Sequence, residues 1–103
     1  MKRELKTPDD YESVITHELE YYGPMAKDLN VSTDVLVEAG RLGARDGIYA
    51  HRRNKGCKYR ESECVTWNIR HFIDCTLVRA ALLASSEEEM DKAESVLMRL
   101  IED

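Results

Sequence analysis

Apolar positions along this chain recur at three- and four-residue intervals almost throughout, the spacing of helices with one face turned inward. Tyr11, Val14, Ile15, Leu19 and Tyr22 form the first such run. Thr7-Pro8-Asp9-Asp10 opens it. The threonine hydroxyl suits the free N–H groups of a first turn, proline has no donor to leave unpaired there, and the acids favour the positive helix end. Gly23-Pro24 predicts a stop, with a short second helix over Met25 to Leu29. Ser32-Thr33-Asp34 predicts the cap of a third helix continuing to about Arg53, where Asn54-Lys55-Gly56 supplies a C-terminal stop. After a loop over Cys57 to Glu61, Ser62 is placed to cap a fourth helix reaching about Ala84. Ser86-Glu87-Glu88-Glu89 reads as a capping box for a last helix carrying Met90, Ala93, Leu97, Leu100 and Ile101 on one side. No segment alternates with period two. The expected fold is all-α, a single compact bundle of four main helices plus one short helix, forming one domain over residues 1–103.

The fourth helix is apolar around most of its circumference, through Val65, Trp67, Ile69, Phe72, Ile73, Leu77, Val78, Ala81 and Leu82. So narrow a polar face predicts either the buried centre of a bundle or a surface shared with a second copy, and in so small a chain a homodimer is expected. No apolar run reaches the roughly 18–20 residues that span a bilayer. The charged N-terminus leads into no apolar signal segment, and three unevenly spaced cysteines suggest reduced thiols, so a cytoplasmic protein is expected.

Charge changes the picture most between Arg41 and Arg60. Arg41, Arg45, Arg52, Arg53, Lys55, Lys58 and Arg60 stand there against the single acid Asp46, giving +6, while the whole chain carries −5 and its other 83 residues therefore −11. Like charges packed so closely repel one another, and such a segment predicts a surface that meets an anion. Tyr49 and Tyr59 are interleaved with these cations, a combination suited to stacking on unpaired bases. An intramolecular alternative is neutralisation by the acidic last helix, with Glu87, Glu88, Glu89, Asp91 and Glu94; a third is an acidic protein partner.

Two further patterns bear on this region. Residues 22–41 fit a helix-turn-helix template: Ala26 is the small residue of the first helix, Asn30 occupies the turn position that tolerates a left-handed backbone, and Met25, Leu29, Val31, Leu36 and Ala39 occupy core positions. The outward face of its second helix would be Thr33, Asp34, Val37, Glu38 and Arg41, whose two acids suit a phosphate-lined groove poorly. Ala39, Gly43 and Gly47 lie four residues apart on one stripe. Each interior glycine costs a helix about 0.5–1 kcal/mol, so close approach of another helix, or of a ligand backbone, is expected there, helix packing being the simpler of the two.

Ala39-x3-Gly43-x3-Gly47-Ile48, followed by Cys57-x-Tyr59 and Trp67, resembles ribosome modulation factor and its small relatives over about Ala39 to Trp67. Lys58 stands where that family has a turn proline, His71 stands near its second tryptophan, and the family is basic where this chain is acidic. The resemblance implies binding of ribosomal RNA through the basic helix and turn.

Cys57, Cys64, His71 and Cys75 invite a metal assignment. Seven residues of helix separate Cys64 from His71 by about 10.5 Å, too far for one zinc ion; only His71 and Cys75 can chelate together, with Cys57 or His17 folding in. Buried thiols acting as small hydrophobes are the simpler expectation, with no metal and no cofactor. No nucleophile–base pair is fixed by spacing, and Lys55 and Lys58 beside Cys57 identify no substrate pocket, so no catalytic residue is expected. The expected function is that of a small non-enzymatic regulatory protein contacting nucleic acid or a ribonucleoprotein through residues 41–60. The alternatives are an interaction module or inhibitor, of phage or accessory type, docking on a larger protein machine, and a helix-turn-helix transcriptional regulator.

Overall fold

Residues 6–102 are described by the computed structural model. A 3-10 turn, Pro8–Tyr11, leads into α1 (Glu12–Asp28), followed by α2 (Thr33–Arg53), α3 (Glu61–Leu82) and α4 (Glu87–Glu102), with no strand among the described residues. The all-α expectation holds. Thr7 begins the chain's helical course by donating its backbone N–H to the Asp10 carboxylate at 2.7 Å. The capping box at the other end forms as expected: Glu89 N–H donates to Ser86 Oγ and Ser86 N–H to Glu89 Oε1, both at 3.1 Å.

Gly23-Pro24 does not stop a helix; α1 runs straight through it, and Met25 to Leu29 belongs to the same element. Proline crowds the residue before it chiefly through that residue's Cβ, which glycine lacks. Met25 and Ala26, on the far side of the proline, are 0% and 3% exposed, so continuing the helix carries both into the core. Their burial outweighs the roughly 3 kcal/mol that an interior proline costs a helix. The helix ends where Asn30 takes a left-handed backbone, φ 58°. Asn30 N–H donates to Lys27 O at 3.1 Å and Val31 N–H to Ala26 O at 2.8 Å, the paired bonds of a Schellman cap.

Two other boundaries differ in cause from their expectations. Helix α2 does end at Arg53, but Gly56 has no left-handed backbone; the Asn54 side chain instead accepts from Gly56 N–H at 3.2 Å, and Asn54 O from Cys57 N–H at 3.1 Å. Helix α3 is capped by Arg60 in extended conformation rather than by Ser62, with Glu61 and Glu63 in its first turn against the positive helix end.

The core centres on α3. Val65, Ile69, Ile73 and Leu77 are each 0% exposed and form one stripe that meets Ile15, Met25 and Leu36 from α1 and α2. Antiparallel α2 lies against this stripe, and its glycines explain how closely. A Cβ on Gly43 would stand 2.6 Å from Asn68 O, and one on Gly47 2.8 Å from Val65 Cα. Backbone meets backbone here, as the glycine stripe predicts. Among the described elements, α4 packs on α3 and α1 alone, burying Ala93 and Val96. The outline is elongated, 59 × 25 × 18 Å, and the radius of gyration of 15.4 Å exceeds the roughly 13 Å of a compact chain this long. The α3 surface is not fully enclosed: Trp67 is 62% and Leu82 74% exposed. No helix among the described residues is long and apolar enough to cross a membrane.

Candidate nucleic-acid interface

The cationic segment comprises the outward face of α2, the turn held by Asn54, and the extended run into α3. At roughly 100° per residue, Arg41, Arg45, Tyr49, Arg52 and Arg53 span about 120° of the α2 surface, turned away from the glycines. The constraint that buries Gly43 and Gly47 against α3 is therefore what presents these side chains to solvent.

Not all of the cations are equally available. Arg41 Nε donates to Glu12 Oε1 at 2.7 Å, joining α2 to the start of α1. Arg52 donates to Lys6 O at 2.8 Å, and its Nε lies 3.1 Å from Glu61 Oε1, an ion pair without hydrogen-bond alignment. These two arginines tie the chain's first segment and the start of α3 to α2. Arg45, Arg53, Lys55, Lys58 and Arg60 are exposed and have no carboxylate partner among the described residues. Among the described residues α4 does not pack on α2, and no ion pair joins its acids to the island.

The aromatic component is exposed with them. Tyr49 is 64% and Tyr59 67% exposed, and the Arg53 guanidinium lies 5.4 Å from the Tyr49 ring centroid, within cation–π range. A groove beside the loop is lined by Tyr59, Glu63, Cys64, Trp67 and Asn68. Trp67, one of the residues that make its helix apolar around most of its circumference, is exposed and stacks on His71 with ring centroids 5.0 Å apart and planes 7° apart. It adds a third exposed ring near the loop.

The helix-turn-helix corner forms as a corner: Ala26, Met25, Leu36 and Ala39 are buried and Asn30 turns the chain. Its second helix exposes Thr33, Asp34 and Glu38, while Arg41, the sole cation of that expected reading face, is held by Glu12. What remains outward is acidic, which opposes a phosphate backbone.

The cysteines and histidines assemble differently from the sequence expectation. His71 Nε2 and Cys75 Sγ lie 3.7 Å apart, as their i, i+4 spacing requires, but neither Cys57 nor Cys64 joins them. Cys64 instead meets His51, Nδ1 to Sγ 3.3 Å, and Cys57, Sγ to Sγ 3.5 Å. Burial, then the hydrogen bond with the Cys57 thiol, pushes the Cys64 thiol above its ordinary value. His51 was not singled out from the sequence. The signal was the spacing His51-x5-Cys57-x6-Cys64, obscured because the three residues occupy the end of one helix, a loop and the start of another.

A polar cleft between α1, α3 and α4 also went unnoticed in the sequence; it is lined by His17, Glu18, Tyr21, Tyr22, Trp67, Arg70, His71, Asp74 and Leu100. Glu18, 6% exposed, accepts from Arg70 Nε at 2.9 Å. Burial pushes the Asp74 carboxyl up, against the lowering influence of Tyr22, His71 and Arg70. Burial, then Asp74, pushes the Tyr22 phenol well above its usual range. Asp74 Oδ1 has no hydrogen-bond partner among the described residues. In comparisons with known proteins, the chain matches no family model, no curated protein and no solved structure.

Proposed function

We propose that this chain is a small non-enzymatic regulatory protein that binds single-stranded nucleic acid, RNA in the first instance, through the C-terminal end of α2 and the loop that follows. The observation that carries this reading is the co-exposure of Tyr49 and Tyr59 among five cations with no carboxylate partner among the described residues. Rings stack on unpaired bases whatever their identity, and the flanking guanidinium and ammonium groups neutralise phosphates. Arg53, Lys55, Lys58 and Arg60 supply the contacts nearest the rings, and Arg45 extends them along α2. Arg41 and Arg52 hold the platform in place instead of binding. The resemblance to ribosome modulation factor makes ribosomal RNA the first ligand to try.

Binding of a labelled single-stranded RNA, followed against salt, tests the reading. Five neutralised phosphates at about 0.7 counterions each predict an affinity loss of roughly a hundredfold between 50 and 200 mM salt. Arg53→Glu with Lys58→Glu should abolish most of the binding and flatten that slope. Absent binding, or binding indifferent to salt, would sink it.

A second reading is a contact with protein, either a second copy of this chain or a larger machine. Leu82 and Leu83, 74% and 76% exposed at the turn between α3 and α4, favour it. A stoichiometric protein complex that survives nuclease, or a dimer in sedimentation that Leu82→Lys with Leu83→Lys dissociates, would favour this reading over the first.

A further inference from the structure

Three ligand-type atoms converge at the root of the cationic loop. His51 projects from the last turn of α2, Cys57 from the loop, and Cys64 from the first turns of α3. Their ligand atoms all lie within 4.8 Å of one another, with 3.3 Å between His51 Nδ1 and Cys64 Sγ and 3.5 Å between the two sulfurs. A tetrahedral zinc ion, with bonds of about 2.3 Å to sulfur and about 2.0–2.1 Å to nitrogen, holds two sulfurs about 3.8 Å apart and a sulfur–nitrogen pair about 3.5 Å apart. Two of the three edges of the cluster, those at Cys64, lie within a few tenths of an ångström of those lengths. The third, between His51 and Cys57, is within 4.8 Å and closes on the ion by rotation of the loop thiol. All three residues are half-buried, neither sealed from an entering ion nor dispersed on the surface.

We propose that His51, Cys57 and Cys64 form a three-ligand site for a borderline-soft divalent cation, zinc above all, with water in the fourth position. Two sulfurs and an imidazole select zinc over the hard cations magnesium and calcium, which take oxygen ligands. Binding releases the two thiol protons to solvent. Two thiolates and a neutral imidazole then cancel the charge of the ion, so the surrounding arginines and lysines do not oppose its entry. The site joins both ends of the loop carrying Lys55, Lys58 and Tyr59, and the bound ion fixes that loop relative to α2 and α3. His71 and Cys75 offer only two ligand atoms and lie outside this cluster.

The test uses the full chain, reduced with a phosphine and titrated with cobalt(II) and then zinc(II), with no nucleic acid present. Site occupancy is thus read separately from the nucleic-acid proposal. One equivalent of cobalt should give the intense visible bands of a tetrahedral ion and near-ultraviolet sulfur-to-metal charge transfer, and zinc should displace both. Cys57→Ser and Cys64→Ser should each weaken binding by about a hundredfold or more, His51→Ala by about tenfold or more, and Cys75→Ser should leave it unchanged. Circular dichroism identifies any variant that fails to fold, and the wild-type spectrum decides on its own. Tryptic cleavage at Lys55, Lys58 and Arg60 should also slow when zinc is bound. Absence of the charge-transfer band at one equivalent, or its survival in the Cys57→Ser, Cys64→Ser double variant, overturns the site. Cleavage at an unchanged rate overturns the fixing of the loop.

Discussion

The two sides of α3 are built on opposite terms. Toward α2 it meets a helix stripped to glycine at Gly43 and Gly47, where added carbon would strike Asn68 O or Val65 Cα. On its polar side it meets ionisable side chains of α1: Arg70 against Glu18, and Asp74 beside Tyr22. The first contact is governed by shape, because two backbones in near contact leave no side chain able to rotate away. The second is governed by charge, because its groups are partly sheltered from water and their free energies shift with protonation. One side should therefore respond steeply to volume and the other to pH.

Gly43→Ala is the largest expected effect. Its methyl group would stand 2.6 Å from Asn68 O and 2.9 Å from Ile69 Cα, so α2 and α3 must part. The helix-propensity gain of about 1 kcal/mol offsets only part of that, and a net loss of about 2–3 kcal/mol is expected. Gly40→Ala is the internal comparison. The three atoms nearest its methyl all belong to the Ile15 side chain, the closest at 3.0 Å, so no backbone has to part and it should lose much less. Chemical denaturation of both variants measures the difference. Equal losses would show that the tight seam is no tighter than an ordinary contact.

Pro24→Ala, next in size, tests why α1 does not break. Alanine restores a donor toward Glu20 O and removes the ring from a position that packing alone keeps helical. A gain of about 1–2 kcal/mol is expected, less than the full propensity difference because a proline also restricts the unfolded chain. A loss of stability would mean that the ring itself contributes packing that the helix needs.

These contrasts mark what the sequence could disclose. The Ser86–Glu89 box, the Asn30 turn and the glycine stripe were legible because each is decided by residues within one turn of one another, or by a cost that demands a close neighbour. The continuity of α1 through Pro24 was not, since it depends on burying Met25 and Ala26 against helices far along the chain. For the candidate interface, its residues were legible from composition but their availability was not. Glu12 engages Arg41 from 29 residues away, and Lys6 engages Arg52 from 46. His51 escaped notice for a similar reason: a loop whose course is set by the Asn54 side chain brings Cys57 and Cys64 to it.

Asp74→Asn carries the smallest expected effect and isolates the charge-governed side. The folded carboxyl titrates above the ordinary 3.8, chiefly because burial disfavours its charge. In the interval between that value and the folded one, the native state holds the proton and the unfolded state has released it. Stability from this group is therefore complete below the ordinary value and lost as pH rises through the folded one. Above the folded value the wild type carries a partly sheltered carboxylate whose Oδ1 has no hydrogen-bond partner among the described residues. Asparagine keeps an acceptor beside Tyr22 and carries no charge at any pH. Unfolding measured from acid pH upward should show the two proteins converging at low pH, with the variant ahead once pH passes the folded value by on the order of 1 kcal/mol or less, a figure reduced by partial solvent screening. The same substitution leaves the glycine seam untouched, so its effect should add to that of Gly43→Ala. A variant less stable than wild type above the folded value would mean that Tyr22, His71 and Arg70 stabilise the Asp74 charge more than burial opposes it, reversing the balance assigned to this side of α3.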